Sequence, residues 1–133
     1  MSVPAADKRW VRERAAGRCE YCRLAAAWEP FFTYRVEHIV ARQPGGADHP
    51  VNLAFACHHC NLLKGPNLTS IDPDGGSVTS LFNLRTPVWT EHFRCDGGLV
   101  IGLTPEGRTT VFLLQMNAAH RMELRLENAD QTG

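Results

Sequence analysis

At 133 residues, 21% of them charged and 44% hydrophobic, the chain suits one folded domain and excludes a disordered polymer. Its apolar runs fall far short of the roughly 20 residues that span a bilayer, and the opening MSVPAADKRWVRERAAGR lacks the apolar centre of a secretion signal; a cytoplasmic protein with no membrane contact is expected. Net charge is zero, yet residues 1–64 carry nine Lys+Arg against six Asp+Glu, and residues 65–133 five against eight, so the first half is the expected face for a polyanion.

Residues 5–16 are predicted to be helical, with Trp10, Val11 and Ala15 on one stripe and Gly17 ending the helix in a left-handed conformation. Cys19 and Cys22 follow in a Cys-x-x-Cys turn, matched by Cys57 and Cys60. In a chain with no secretion signal, four paired cysteines point to metal rather than to disulfides. Four thiolates complete a tetrahedral zinc site, and the two-residue spacer lets each pair turn both sulfurs toward one ion. Between the pairs lie 34 residues, so the metal would clamp the base of whatever that stretch forms.

Within that stretch, residues 24–33 read as a connection whose aromatics (Trp28, Phe31, Phe32) are expected to cover the core. Residues 34–40 read as a strand from their β-branched and aromatic content. Residues 43–48 carry turn chemistry, residues 51–56 a second short strand, and residues 60–64 the start of a helix. Beyond Gly65, residues 67–79 read as a linker centred on Asp72-Pro73-Asp74-Gly75-Gly76. Residues 99–103 form a strand, and Thr104-Pro105 open a helix with a hydroxyl cap and a proline in its first turn; it should continue through residues 110–116. Asn117 is expected to cap a last helix ending at Leu126. No repeat beyond the cysteine pairs is visible.

His38 carries the candidate chemistry. Histidine exchanges a proton near neutral pH without special tuning, and an acidic residue, Glu37, precedes it. Neighbours on a regular strand point to opposite faces, so both can serve one site only where the strand ends or bulges. The turn residues that follow supply such an ending.

The set Cys19-x2-Cys22, Glu37-His38-Ile39, Asn52-Leu53 and Cys57-x2-Cys60-Asn61-x2-Lys64-Gly65 resembles the HNH endonucleases built on a four-cysteine zinc frame, over about residues 15–66. The resemblance implies an α+β fold: a ββα-metal (His-Me finger) core with structural zinc, an N-terminal helix and an α/β C-terminal extension. It treats residues 1–133 as a single nuclease domain, with a segment at about 80–128 covering the core. By the same resemblance His38 is the general base that activates water, and Glu37, where the family often has Asp, holds the catalytic cation. Asn52 holds the loop and orients the histidine. Asn61 is the second cation ligand in a His-Asn-Asn variant, and its amide oxygen favours Mg²⁺ or Mn²⁺. Lys64 is a possible phosphate contact.

The expected function is metal-dependent hydrolysis of DNA phosphodiester bonds, leaving a 5′-phosphate and a 3′-hydroxyl. The alternative is a non-catalytic zinc-binding module for nucleic acid or a protein partner. Phosphate neutralisation by Lys and Arg dominates DNA affinity, so the neutral net charge fits delivery to DNA by a partner. His58 and His59 are expected at the surface of the second cysteine turn, and Cys95 outside the zinc set. In the C-terminal extension Trp89 and Phe93 are expected to be buried, and His92, in a second Glu-His pair, is a further candidate for the active site.

Overall fold

The computed structural model describes residues 3–40, 46, 49–85 and 88–128. The loop expected at 43–48 lies outside the described residues, Gly46 excepted. The chain forms two compact units of mixed α/β structure, residues 1–66 and 67–133.

In the first unit, α1 (Ala5–Arg14) packs the fully buried Val11 into a small core with Val3, Leu53 and Phe55. The helix ends two residues before the expected position. Ala16 and Gly17 both turn left-handed (φ 55° and 70°), and glycine adopts that conformation without the Cβ penalty. Strand β1 (Arg35–His38) pairs antiparallel with β2 (Leu53–Ala56), placing Glu37 opposite Ala54 and His38 opposite Leu53. Both strands are shorter than expected. Asn52 leaves the second one because Pro50–Asn52 form a single 3₁₀ turn capped by the His49 side chain. Helix α2 (His58–Lys64) follows β2 at once, with Cys57 at its N-cap.

One expectation fails in the connection. Phe31 is 76% and Phe32 40% exposed, so neither covers the core. Phe32 instead stacks on the His58 ring, at 4.5 Å between centroids and 4° between planes, and meets His59 edge-on. An aromatic residue predicts burial only where an apolar surface faces it. Here imidazoles do.

The second unit corrects more. The expected linker contains a hairpin, β3 (Thr69–Ile71) with β4 (Val78–Ser80), closed over the predicted turn residues. A second hairpin pairs β5 (Phe93–Asp96), unforeseen, with β6 (Leu99–Gly102), and the short helix α3 (Trp89–His92) precedes it. Helix α4 (Pro105–Leu113) opens as expected, with the Thr104 hydroxyl accepting from the Gly107 N–H. The last helix, α5 (Ala119–Glu127), starts after Ala118, not Asn117. Asn117 is occupied elsewhere: its amide brackets Val100, accepting from the backbone N–H at 2.8 Å and donating to the carbonyl at 2.9 Å.

Trp89 and Phe93 are buried and stacked on each other in this unit. Two arginines of α5, unremarked in the sequence, are buried as well. Arg121 donates to the Leu114 and Gln115 carbonyls, and Arg125 to those of Gly98 and Met116. Such bonds satisfy carbonyls left over at the end of α4 and in the β5–β6 turn.

Candidate metal centre and hydrolytic site

The first cysteine turn is laced to β2 before any metal is considered. The Glu20 N–H donates to the Phe55 carbonyl (2.9 Å), and the Glu20 carboxylate accepts from the Phe55 N–H (2.8 Å). Arg14 bridges them, reaching the Leu53 carbonyl at 2.6 Å, the Pro50 carbonyl at 3.0 Å and Glu20 at 3.2 Å. In each turn the second cysteine's N–H points at the first one's sulfur: Cys22 to Cys19 at 3.5 Å and Cys60 to Cys57 at 3.4 Å.

These two turns bring all four thiols together in a buried cluster, with ligand atoms within 4.8 Å of one another. Cys22 and Cys57 Sγ stand 3.8 Å apart. A regular tetrahedron with Zn–S near 2.3 Å has edges of about 3.8 Å, so the cluster has the size of a zinc site. Burial pushes the Cys19 and Cys60 thiols up, while a hydrogen bond with Cys19 pulls Cys57 down. Four thiolates cannot share this dry space without a cation; four sulfur donors and their spacing suit zinc. Cys95 is exposed on β5 and stands outside the set.

A cavity of about 560 Å³ is lined by Glu37 and His38 from β1, Asn61 and Lys64 from α2, and Lys8 from α1, together with Tyr21 and Ala56; Tyr21, Ala56 and Asn61 are the chain neighbours of Cys22, Cys57 and Cys60. The two neighbours on β1 share this cavity at the last two residues of the strand. Asn61 Nδ2 donates to Glu37 Oε1 at 3.3 Å. A half-turn of that amide, which preserves its shape, would set a second oxygen beside the carboxylate and give a hard cation two protein ligands. Asn61 follows Cys60 directly, so the helical turn that carries a cluster thiol also carries this amide.

Asn52 holds the chain just past His38. Its carbonyl accepts from the Ile39 N–H at 2.8 Å, and its amide accepts from the Val40 N–H and donates to the Val40 carbonyl, both at 2.9 Å. Lys64, expected as a possible phosphate contact, is 5% exposed and gives its ammonium to the Ile39 carbonyl at 2.7 Å. Burial draws that ammonium below the ordinary lysine range, and the Glu37 carboxylate opposes the shift. The backbone after His38 is thus gripped from two sides, by Asn52 and by Lys64. Lys64's structural use was missed from sequence; its place one helical turn beyond Asn61 was the only available signal.

His92 lies in the second unit, its Nδ1 bonded to the Thr104 hydroxyl at 2.6 Å. The close packing there leaves no room for a side chain at Gly107, where a Cβ would clash with the His92 carbonyl. Arg108 forms a bidentate pair with the buried Asp72 at 2.9 and 3.3 Å.

Among the described residues no helix is long and apolar enough to cross a membrane. Neither the curated proteins nor the solved structures contain a match to the chain. Residues 19–67, the span holding the four clustered cysteines together with Glu37, His38, Asn52, Asn61 and Lys64, match the model of the HNH endonuclease family.

Proposed function

We propose that the protein is a metal-dependent DNA endonuclease whose ββα-metal site is formed by β1, β2 and α2. The observation that carries this reading is the cavity shared by Glu37, His38 and Asn61, with Asn61 directly following the cluster thiol Cys60. Glu37 and Asn61 are the residues that would hold Mg²⁺ or Mn²⁺. When bound, such an ion supplies positive charge for the scissile phosphate and the departing 3′-oxygen.

The chain's own residues have separable tasks. His38 accepts a proton from the attacking water, whose oxygen bonds to phosphorus as the bond to the 3′-oxygen breaks. Asn52 and Lys64 fix the backbone beyond His38, so the imidazole is presented without the entropy of a loose strand end. The cysteine clamp fixes the start of α2 and with it Asn61. Glu37 carries the negative charge that attracts the cation and meets Asn61 across the cavity.

Zinc-loaded protein incubated with supercoiled plasmid should relax or linearise it on addition of Mg²⁺ or Mn²⁺ and leave it intact with no added cation. An intact plasmid with every added cation contradicts the enzyme reading. It would favour the second one, a non-catalytic zinc module for nucleic acid or a protein partner, which the zero net charge supports.

A further inference from the structure

A second groove, of about 570 Å³, is lined by Lys8, Arg9 and Arg12 from α1, Arg35 and Glu37 from β1, and Phe55 from β2. Three features set it apart from an ordinary charged surface. Positions 8, 9 and 12 share one helix face, and Arg35 stands at the start of the neighbouring strand, so four cations converge on one channel. The helix divides its basic residues: Arg14 is turned inward onto the Pro50 and Leu53 carbonyls, whereas Lys8, Arg9, Arg12 and Arg35 are exposed. Among the described residues, none of Lys8, Arg9 and Arg35 is in an ion pair. Arg12 rests over the Phe55 ring, 5.6 Å from its centroid, which orients a guanidinium without neutralising it.

The groove runs into the hydrolytic cavity. Lys8, Val36 and Glu37 line both, and Glu37, the one carboxylate in the groove, stands at the junction. Four cations against one acid, in a chain whose net charge is zero, concentrate positive charge where a polyanion leading to His38 would lie.

We propose that this groove is the track for the phosphodiester backbone of nucleic acid, with Arg9, Arg12 and Arg35 each contacting a phosphate and Lys8 at the entry to the cavity. The proposal rests on the nuclease reading for its direction, since the backbone that enters the groove is the one to be cut. Contacts of this kind position the strand and carry no sequence information.

The test is the salt dependence of binding to a duplex DNA oligonucleotide by zinc-loaded protein with no added Mg²⁺ or Mn²⁺, so that cleavage does not enter. Each lost phosphate contact reduces the slope of log K against log salt by about 0.9. Arg9→Ala/Arg12→Ala/Arg35→Ala should therefore bind more weakly and lose roughly 3 from the slope, by the same rule. Arg94→Ala, an exposed arginine of the second unit (58% side-chain exposure), should leave the slope unchanged. The proposal is overturned if the triple variant keeps the wild-type slope, if Arg94→Ala lowers it as much per charge, or if wild type does not bind. Cation-dependent plasmid cleavage combined with an unchanged slope would keep the nuclease reading and remove only the groove.

Discussion

The two units of this chain solve the problem of a small core in different ways. Of the buried apolar side chains in residues 1–66, four are the clustered cysteines and the packed core beside them is Val3, Val11, Leu53 and Phe55. Residues 67–133 bury no cysteine. They rely on Leu81, Phe82, Trp89, Phe93, Val100, Leu114, Met116 and Leu124, with two buried arginines tied to backbone carbonyls. A small domain that cannot bury enough apolar surface needs a staple. The first unit uses a prospective metal clamp, and it is the unit that carries the residues proposed for hydrolysis. Rigid support for a site and the staple for the fold are there the same structure.

The largest effect should come from removing that clamp. Structural zinc sites contribute on the order of 10 kcal/mol of apparent binding energy to folding, so Cys19→Ser or chelation should abolish native amide signals of residues 1–66. The amide spectrum of the isotopically labelled protein reads this directly, and native signals there in zinc-free protein would remove the clamp from the account. In the second unit the comparable break is Arg125→Leu, which leaves the Gly98 and Met116 carbonyls without their donor. Losing charged hydrogen bonds in a buried setting costs about 2–3 kcal/mol, and urea unfolding should register it whether or not zinc is present. Dependence on zinc would blur the contrast between the units.

Asn52→Ala should cost less, about 1–2 kcal/mol for two hydrogen bonds to Val40. Its sharper signature lies at the site: kcat for plasmid cleavage should fall with little change in KM, as befits a residue that positions His38 without touching substrate. A KM effect alone would contradict that role. The smallest effect belongs to Asp72→Asn. The Arg108 guanidinium holds the Asp72 carboxyl below its usual range. Folding therefore favours the ionised form, and the contribution is fully present above the unfolded carboxyl value of about 4 and lost as pH falls through the lowered folded value. The stability gap between wild type and variant should accordingly be open at neutral pH and close in acid; a gap independent of pH would refute the pairing as its source.

What could be read beforehand differs between the units for the same reason. Metal ligands write their chemistry into short spacings, so the two Cys-x-x-Cys turns are legible in the chain itself, and the four thiols do cluster; Glu37-His38 reads as a bare acid-histidine pair, Asn52 and Asn61 join it only through the resemblance, and one cavity collects Glu37, His38 and Asn61. The groove was not legible, because Arg35 joins Lys8, Arg9 and Arg12 only through the packing of α1 on the β1–β2 pair. The β3–β4 hairpin was hidden by strands of three residues, too short for alternation to emerge around Asp72-Pro73-Asp74-Gly75-Gly76. Arg121 and Arg125 carry no periodic sign of burial, since what buries them is a set of backbone carbonyls just after α4 and in the β5–β6 turn that accept from their guanidinium groups. Asn117 misled in the opposite direction: an asparagine before a helix reads as a cap, yet a strand residue, Val100, claimed both ends of its amide.

The central claim is that His38, held at the end of β1 beside a cysteine clamp, moves the proton that makes water a nucleophile. Initial rates of plasmid cleavage by zinc-loaded wild type and His38→Ala, compared at saturating Mg²⁺ or Mn²⁺, test it most directly. General-base catalysis contributes roughly 10²–10⁴-fold, so the variant should cleave slower by that factor while retaining its zinc and its amide spectrum. Equal rates from the two proteins would contradict the account.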